Sequence, residues 1–206
     1  MNTPTGQLYI VSAPSGAGKS SLLNALRGRV QDVVVSVSTT TRQPRPGEQD
    51  GVHYHFTNAE TFRQQVADGN FLEYAQVFDN YYGTSRLSVN ALLESGKDVI
   101  LEIDWQGAQQ VRERAENVIS IFILPPSVEA LQTRLRGRGQ DSEETIQRRM
   151  RDAQSEMSHY PEYDYIIIND EFEFALEELA CIFRSERLKL ARQKQHQQPL
   201  LDALVS

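Results

Sequence analysis

The stretch at residues 12–21, SAPSGAGKSS, places glycines and a lysine between an apolar run and a helical pattern. It fits the phosphate-binding loop G-x-x-x-x-G-K-[ST], with Ala13 in place of the first glycine. Gly16 and Gly18 can adopt the backbone angles that turn consecutive N–H groups toward phosphate oxygens. The following helix adds the positive end of its dipole. This stretch therefore predicts a strand, an anion-binding loop and a helix in succession.

The residues of this loop have different expected roles. Lys19 is expected to reach the outer phosphates of a nucleotide, and Ser20 to offer its hydroxyl to Mg²⁺. The alternative is an ordinary glycine-rich turn, but the position between a strand and a helix favours phosphate binding. The predicted nucleotide-donor contacts include the whole loop: Ala13, Pro14, Ser15, Gly16, Ala17, Gly18, Lys19, Ser20 and Ser21.

Apolar, β-branched runs alternate with helical patterns along the chain. Five buried strands are predicted, at residues 8–12, 33–38, 99–104, 118–124 and 163–168. Continuous apolar runs separated by helices are typical of a parallel sheet covered on both faces. The predicted fold class is therefore α/β, with a P-loop NTPase-type parallel core and ligands at the carboxyl ends of the strands.

The pattern of polar and apolar residues changes between residues 39 and 96. GVHYHF and FLEYAQV alternate in polarity, as half-exposed strands do. Thr57 and Glu60 have the spacing of a capping box, which predicts a helix from there to about Ala67. This segment is expected to be a small mixed α/β insert on the main sheet.

Residues 135–149 predict a second specialised segment, a short helical lid. Two glycines lie there between charged helices, with Asp141 or Ser142 as a cap for the second helix. The last predicted helix spans residues 171–194 and is followed by a polar stretch and a short apolar tail. The remaining residues, 1–38, 97–134 and 150–206, form the predicted core of a single domain.

Composition limits the partners that the chain can be expected to have. A net charge of −7 over 206 residues argues against a general nucleic-acid surface, and no apolar run approaches the ~20 residues of a membrane span. The N-terminal residues lack a leader pattern. The single cysteine, Cys181, lies in an apolar helical pattern that predicts a core position. We expect a cytoplasmic protein with no nucleic-acid or membrane partner.

Arginines nevertheless cluster locally, in TTTRQPRPG, RLRGRG and IQRRMR. Most such stretches are solvated faces. In an acidic protein, clusters that fall in loops favour a small, highly charged ligand.

Asp104 ends the apolar strand pattern VILEID and precedes a helical pattern. A carboxylate at a strand tip near a phosphate loop can hold a Mg²⁺-bound water or orient a basic residue. It can equally cap the next helix. Glu102 faces the same side and is a candidate for the same role.

Over almost its whole length the chain resembles guanylate kinases of the bacterial type. The similar stretches occur in the family's order: YIVSAPSGAGKSSL, SVSTTTRQPRPGEQDGVHYHF, FLEYAQVFDNYYGTS, VILEIDWQGAQQV, RLRGRG, IQRRM and YIIIND. The resemblance implies a nucleoside-monophosphate-kinase fold and the reaction ATP + GMP ⇌ ADP + GDP with Mg²⁺. It also implies that the insert binds GMP or dGMP.

The resemblance implies a set of GMP-binding residues: Ser38, Arg42, Arg45, Tyr54, Glu73, Tyr82, Gly83, Thr84 and Asp104. Arg42 and Arg45 match the pair that holds the GMP phosphate, for which guanidinium forks are suited. Glu73 matches the acid that reads guanine, because a carboxylate accepts from both N1–H and the 2-amino group. Without the resemblance, Glu73 is a solvent-facing charge and the tyrosines are sheet packing.

On the donor side, Arg138 and Arg149 match the family's lid arginines, and Asn169 and Asp170 match a segment near adenine. Such an enzyme needs no general base, since the acceptor phosphate is already anionic. Two alternatives are a non-catalytic guanylate-kinase-like interaction module and a kinase for another phosphorylated acceptor. The C-terminal segment is expected either to pair with a second copy or to pack on its own sheet.

Overall fold

A computed structural model describes residues 5–77, 79–137 and 142–206. Within these ranges the strands are β1 (Leu8–Ser12), β2 (Val33–Val35), β3 (Thr39–Thr40), β4 (His55–Phe56), β5 (Phe71–Val77), β6 (Asn80–Ser85), β7 (Asp98–Glu102), β8 (Ile119–Leu124) and β9 (Tyr165–Ile168). The α-helices are α1 (Lys19–Arg29), α2 (Ala59–Ala67), α3 (Arg86–Glu94), α4 (Trp105–Arg114), α5 (Val128–Gly137), α6 (Glu143–Met157), α7 (Phe172–Leu188) and α8 (Leu190–Val205).

The main sheet consists of five parallel strands in the order β2-β7-β1-β8-β9. All five predicted buried strands are present, and the α/β fold class is confirmed. β2 is shorter than predicted, because it ends at Val35 rather than at Ser38. Beyond its end, the N–H of Ser36 still donates to the carbonyl of Ile100 at 2.9 Å. The carboxyl ends of the five strands therefore lie along one edge of the sheet.

Side chains of β1 alternate between two apolar clusters, one on each face of the main sheet. Tyr9 and Val11 lie in the cluster that α1 and α7 cover. Leu8 and Ile10 lie in the cluster that α3 and α4 cover. Helices thus cover both faces, as continuous apolar strands predict.

A second sheet of four strands, in the order β4-β3-β6-β5, lies between β2 and β7 in the chain. The predicted mixed segment is therefore present, with two differences of detail. The GVHYHF stretch contributes only two strand residues, since a tight turn precedes them. The cap of α2 is Asn58, whose side chain accepts from the N–H of Thr61 at 2.8 Å, so the predicted Thr57 capping box is wrong.

The C-terminal prediction of one helix over residues 171–194 is also wrong, because two helices lie there. α7 ends at Leu188, where Lys189 adopts an extended ψ of 139°. α8 then includes the stretch predicted to be polar chain, and none of its residues is buried. Cys181 is exposed on α7, so its predicted core position is wrong as well.

α5 and α6 form a separate hairpin. Leu131 and Leu135 of α5 pack against Ala153 of α6 in a small apolar cluster. Ser142 caps α6, because its hydroxyl accepts from the N–H of Thr145 at 3.2 Å. Ser142 is one of the two predicted caps. The other, Asp141, lies outside the described residues. In the described ranges, no helix has the length and apolar character needed to cross a bilayer.

Candidate active site

The loop between β1 and α1 has the backbone that its glycines predict. Gly16 and Gly18 have φ values of 96° and 92°, in the left-handed region that favours glycine. Gly18 is the N-cap of α1 and supplies no side-chain cap, so the first N–H groups of the helix are left for another acceptor. Ala13 is not among the described residues with positive φ, which explains why a first glycine is unnecessary. The arrangement suits an anion at the start of α1.

Lys19 and Ser20 meet an acidic side chain from the neighbouring strand. The Ser20 hydroxyl donates to the Glu102 carboxylate at 2.5 Å, and the Lys19 ammonium lies 3.8 Å from the same oxygen. Burial lowers the pKa of Lys19, while Glu102, Asp104 and Glu156 act in the opposite direction. The structure therefore brings Glu102 into direct contact with the loop residues that were predicted to bind phosphate and Mg²⁺.

Asp104 caps α4, as one of its two predicted roles requires. Its carboxylate accepts from the N–H of Gly107 at 2.8 Å. The two predicted roles are compatible, because Asp104 also lines the pocket over the phosphate loop. This pocket has a volume of about 350 Å³, and it is lined by loop residues together with Lys19, Asp104 and Glu156. A charged cavity of this kind suits a polyphosphate with its counterions.

The second sheet contains a buried carboxylate. Glu73 on β5 is only 7% exposed, and the hydroxyl of Thr84 on β6 donates to it at 2.6 Å. Burial raises the pKa of Glu73, and the hydrogen bond from Thr84 opposes this change. Glu73 is therefore not the solvent-facing charge that strand alternation alone indicates.

The first turn of α4 links Glu73 to the phosphate-loop pocket. A Cβ on Gly107 would lie 3.4 Å from one Glu73 carboxylate oxygen and 3.5 Å from Asp104. Further along α4, the side chain of Gln110 bonds both the N–H and the carbonyl of Tyr74, at 3.2 and 3.0 Å. These contacts fix β5 against α4, and the two acids Glu73 and Asp104 both lie close to Gly107.

Arg42 is held at the open side of the second sheet by several partners. Its guanidinium donates to the Gln43 carbonyl and to the Glu48 carboxylate, each at 2.8 Å. It also lies 5.3 Å from the ring centre of Tyr54. The hydrogen bond from Arg42 is the main cause that lowers the pKa of Glu48 to about 2. Glu48 thus forms an ion pair with Arg42, the residue that was predicted to hold a phosphate.

The second sheet and its loops contain four further predicted acceptor residues: Ser38, Arg45, Tyr54 and Tyr82. The rings of Tyr54 and Tyr82 form a T-shaped, edge-to-face pair, with ring centres 6.0 Å apart. Arg45 has an exposed side chain, and its N–H donates to Glu48 at 2.7 Å. Ser38 is half-buried just before β3, and its carbonyl accepts from His55.

Gly83 on β6 lies close to the neighbouring strand β5, and its predicted contact with GMP stays a prediction. A Cβ there would lie 3.0 Å from the Glu73 carbonyl and 3.0 Å from the Phe71 ring. The space is filled by β5, so glycine at this position allows the two strands to pair closely.

The structure describes three of the four residues that were predicted for the lid and for adenine. Arg149 is half-buried on α6, and Arg138 lies outside the described residues. Asn169 is buried, and its side-chain amide donates to the Ala17 carbonyl at 2.7 Å. This hydrogen bond stabilises the phosphate loop. Asp170 is exposed. The predicted contacts of Asn169 and Asp170 with adenine stay predictions.

The oxygen groups around the loop fit a magnesium ion that comes with a nucleotide. In residues 5–77, 79–137 and 142–206, no group of three His, Cys, Asp or Glu side chains could hold a metal ion alone. Mg²⁺ usually binds through one or two protein oxygens, several waters and phosphate oxygens. The Ser20 hydroxyl and the carboxylates of Glu102 and Asp104 supply such oxygens at the pocket.

A larger groove of about 1550 Å³ lies at the opposite edge of the main sheet. Leu8, Ile119 and Tyr165, the first residues of β1, β8 and β9, line it together with residues of α8. Ligands of open parallel sheets bind at the carboxyl ends of the strands. We therefore assign the candidate site to the smaller pocket.

Four contributing residues were not predicted: Glu48, Gly107, Gln110 and Glu156. A signal existed for Glu48, because an acid three residues after Arg45 in a tight loop can bond that loop. A signal also existed for Gly107, because a glycine in the first turn of a helix often marks a close contact with a neighbouring element. Gln110 and Glu156 lie on exposed-looking helix faces, where sequence patterns carry no such signal.

Comparisons with known proteins agree with this geometry. A family model described as guanylate kinase matches residues 5–186. A guanylate kinase of Chromohalobacter salexigens is 60% identical over 201 residues, which cover 98% of this chain and 94% of that protein. The guanylate kinase of Escherichia coli K12 is 57% identical over 203 residues, with 98% of each chain covered.

A solved structure gives the same result. The crystal structure of guanylate kinase from Anaplasma phagocytophilum has a TM-score of 0.70 and is 36% identical, covering 93% of this chain and 92% of its own. The family match spans both the phosphate loop and the buried Glu73. Together with the relatives that cover nearly the whole chain, it shows that this chain belongs to the guanylate kinase family.

Proposed function

We propose that the chain binds ATP with Mg²⁺ at the phosphate loop, binds GMP or dGMP at the second sheet, and transfers the γ-phosphoryl group between them. Membership of the guanylate kinase family makes it an ATP-dependent kinase of GMP. The bond between the γ-phosphorus and the β–γ bridging oxygen breaks, and a bond to a GMP phosphate oxygen forms. The products are ADP and GDP, which belong to purine nucleotide metabolism.

The acceptor needs no general base, because its phosphate is anionic at neutral pH. Transfer then depends on positioning and on charge stabilisation. Lys19 and the first N–H groups of α1 stabilise the donor phosphates. Ser20 and Asp104 would hold Mg²⁺, partly through water, and the ion would supply charge neutralisation at the phosphates.

Guanine is read by the carboxylate of Glu73. This carboxylate accepts from N1–H and the 2-amino group of guanine, whereas adenine offers neither donor. Thr84 and Ser38 add hydroxyls at the base. Asp104, like Glu73, lies close to Gly107. Such a site can reject a base that lacks the donors by roughly 10⁴–10⁵.

The GMP phosphate is held by Arg42 and Arg45 with the hydroxyls of Tyr54 and Tyr82. Arg42 is already oriented by the ring of Tyr54 and by Glu48. When the phosphate binds, it takes over contacts that Glu48 makes in the ligand-free chain. Two planar guanidinium groups suit a phosphate dianion.

We propose three functional parts within one domain. Residues 39–96 bind GMP, residues 135–149 form a lid, and the rest form the core. Arg138 and Arg149 of the lid reach the transferring phosphates when it closes and excludes water. Asn169 and Asp170 lie near adenine.

We also propose that two copies of the chain associate through α8. No side chain of α8 is buried, and Leu190, Leu200 and Leu204 are among its exposed apolar residues. We expect the enzyme to act in the cytoplasm, where its nucleotide substrates are. Light scattering of the wild-type chain and of the double variant Leu200→Lys, Leu204→Lys measures the association: a dimer that becomes monomeric supports it, and a wild-type monomer contradicts it.

The observation that carries the proposed acceptor is the buried Glu73 carboxylate beside the start of α4. The test is ADP formation from ATP and Mg²⁺ with GMP, dGMP, AMP or a sugar phosphate offered in turn. We expect rapid turnover with GMP and dGMP only. Comparable turnover with AMP or a sugar phosphate would contradict the acceptor assignment, and no turnover with any acceptor would favour an interaction module.

A further inference from the structure

Gln110 on α4 bonds the backbone of the edge strand of the second sheet. β5 is the last strand in the order β4-β3-β6-β5, so within the described residues its outer edge pairs with no further strand. The side chain of Gln110 takes that place at Tyr74. Its Oε1 accepts from the Tyr74 N–H at 3.2 Å, and its Nε2 donates to the Tyr74 carbonyl at 3.0 Å. One amide thus satisfies both backbone groups of the residue that follows Glu73.

Arg114, one turn further along α4, orients this amide. Its Nη1 donates to Gln110 Oε1 at 3.2 Å and to the Leu72 carbonyl at 3.2 Å. Because Oε1 accepts from a cation, the amide nitrogen is turned toward the Tyr74 carbonyl. Side chains of α4 therefore bond the backbone on both sides of Glu73.

The two neighbours of Glu73 are nevertheless held differently. Leu72 is 2% exposed and belongs to the apolar cluster that α3 and α4 cover. Tyr74 is half-buried, so water can replace the hydrogen bonds of Gln110 there. β5 would remain paired with β6 without them. Loss of Gln110 should therefore loosen the backbone beside Glu73 and leave the sheet folded.

The proposed guanine site needs a fixed distance between two acids on different elements. Asp104 is the N-cap of α4 and accepts from the N–H of Gly107 at 2.8 Å, so it moves with that helix. Glu73 moves with β5, and one of its oxygens lies 3.4 Å from the position of a Cβ on Gly107. The contact between α4 and β5 therefore determines where the Glu73 carboxylate lies relative to Asp104.

We infer that Gln110 is a positioning residue for base recognition: it fixes the Tyr74 backbone to α4 and so aligns the Glu73 carboxylate with both donors of guanine. This inference rests on the proposed reading of guanine by Glu73. Gln110 itself does not touch the base.

The test compares GMP with inosine monophosphate (IMP), whose base keeps N1–H but lacks the 2-amino group. The measured quantity is the ratio of kcat/KM for GMP to kcat/KM for IMP. A purely structural defect that leaves less folded enzyme lowers both values alike and leaves their ratio unchanged. A misplaced carboxylate loses the bond to the 2-amino group and lowers the ratio.

The first variant is Gln110→Met, which keeps an unbranched side chain and removes both hydrogen bonds to Tyr74. A hydrogen bond to a charged acceptor contributes roughly 10- to 100-fold, and its loss of alignment removes part of that. We expect the ratio to fall about 3- to 10-fold. The KM for ATP should stay within about 2-fold, because the phosphate loop lies on other elements.

A double-mutant cycle with Glu73→Gln connects the effect to the carboxylate. Glu73→Gln alone should remove most of the preference for GMP over IMP. In that background, Gln110→Met should change the ratio by less than about 2-fold, since the group that it positions is gone.

The matched control is Gln109→Ala, on the neighbouring residue of the same helix. This change also removes one side-chain amide, whose bond goes to Glu162 at 3.1 Å rather than to the second sheet. Its ratio should equal that of wild type. If Gln110→Met fails to fold, Gln110→Glu takes its place, because an ionised carboxylate cannot donate to the Tyr74 carbonyl, and its ratio should fall as well.

The outcomes separate the inference from the proposal beneath it. A wild-type ratio in Gln110→Met, an equal fall in Gln109→Ala, or an equal fall with and without Glu73 overturns the inference alone. A wild-type ratio in Glu73→Gln overturns the reading of guanine by Glu73, and the inference with it.

Discussion

The hydroxyl of Thr84 donates to the buried carboxylate of Glu73 across two paired strands, at 2.6 Å. One carboxylate oxygen is thereby fixed, and the other lies next to Gly107 at the start of α4. The pair explains how a small second sheet holds a carboxylate in place for base recognition. Burial raises the pKa of Glu73, and the hydrogen bond from Thr84 offsets only part of this effect, so the carboxylate is costly in the ligand-free protein.

Glu73→Gln should weaken the recognition of GMP and raise the thermal stability of the protein. Since hydrogen bonds to charged groups contribute about 1.5–3 kcal/mol, we expect the KM for GMP to rise roughly 10- to 100-fold. Burial raises the pKa of Glu73, so its ionised form destabilises the fold above that pKa. The variant should therefore melt at a higher temperature than wild type at neutral pH. Steady-state kinetics and calorimetry measure the two effects; an unchanged KM for GMP would contradict the assignment.

GMP binding should depend on pH through the same group. Guanine donors need the ionised carboxylate, so affinity should fall as the pH decreases through the raised pKa of Glu73. The fall should begin at a higher pH than an exposed glutamate would give. Titration calorimetry at several pH values measures it, with Glu73→Gln as the control for titration of the GMP phosphate. The same pH profile in both proteins would rule out Glu73 as the origin.

Arg42→Lys should weaken the acceptor phosphate site. Lysine cannot bond the Gln43 carbonyl, Glu48 and a phosphate with one planar fork. We expect the KM for GMP to rise about 10- to 100-fold, as for the loss of hydrogen bonds to a charged group, with the KM for ATP unchanged. The matched control is Arg63→Lys, an exposed change on α2 that should leave both values unaltered. Equal kinetics of the two variants would show that the fork is unnecessary.

Lys19→Met should remove turnover and leave the acceptor site intact. Loss of one preorganised charge in a buried site costs about 10²–10³-fold in kcat, and we expect at least that loss. The Kd for GMP, measured by calorimetry, should stay unchanged because Glu73 lies on β5 and Arg42 follows β3, both away from the phosphate loop. Lys194→Met, an exposed lysine of α8, is the control. Substantial kcat in Lys19→Met would place the transferring phosphate elsewhere.

Gly18→Ala should disrupt the phosphate loop. The added Cβ would lie 2.4 Å from the Asn169 amide nitrogen, at a φ of 92°. Left-handed backbone costs about 1–2 kcal/mol for a residue with a Cβ, so the melting temperature should fall by roughly 2–8 °C. ATP affinity should fall with it, because the first turn of α1 starts at this residue.

The matched control for that change is Gly28→Ala, within α1. A Cβ there meets nothing within 4 Å, so alanine should stabilise the helix by about 0.4–1 kcal/mol. Thermal melts of both variants give the comparison. Equal effects of the two substitutions would show that Gly18 needs neither its backbone angle nor its space.

Most of the fold was predictable because it depends on apolar periodicity. The five strands of the main sheet are continuous apolar runs, and Gly16 and Gly18 mark the loop by residue type alone. The errors fall where local pattern is weak. Asn58 rather than Thr57 caps α2, since both are good caps, and the chain breaks at Lys189 within a sequence that favours helix throughout.

The candidate site was predictable only where one residue type carries the chemistry. Lys19 and Arg42 have that character, and a family resemblance identified Glu73. Glu48, the partner of Arg42, lies in the same loop, where its spacing from Arg45 was a usable signal. Glu156 reaches the pocket over the phosphate loop only through tertiary packing, and no local pattern distinguishes it from an ordinary surface acid. Cys181 shows the reverse error, because an apolar helix face suggested burial that the tertiary packing does not provide.

The main sheet has a further consequence, which follows from the pairing of β2 with β7. The chain leaves this sheet after Val35 and returns at Asp98, and the two strands are neighbours with Val33 opposite Asp98. The second sheet is thus inserted at one junction between two neighbouring strands, and α3, which covers the main sheet, ties its end of the chain to the core. A change of length in the loops of the second sheet would leave the order of the five parallel strands as it is.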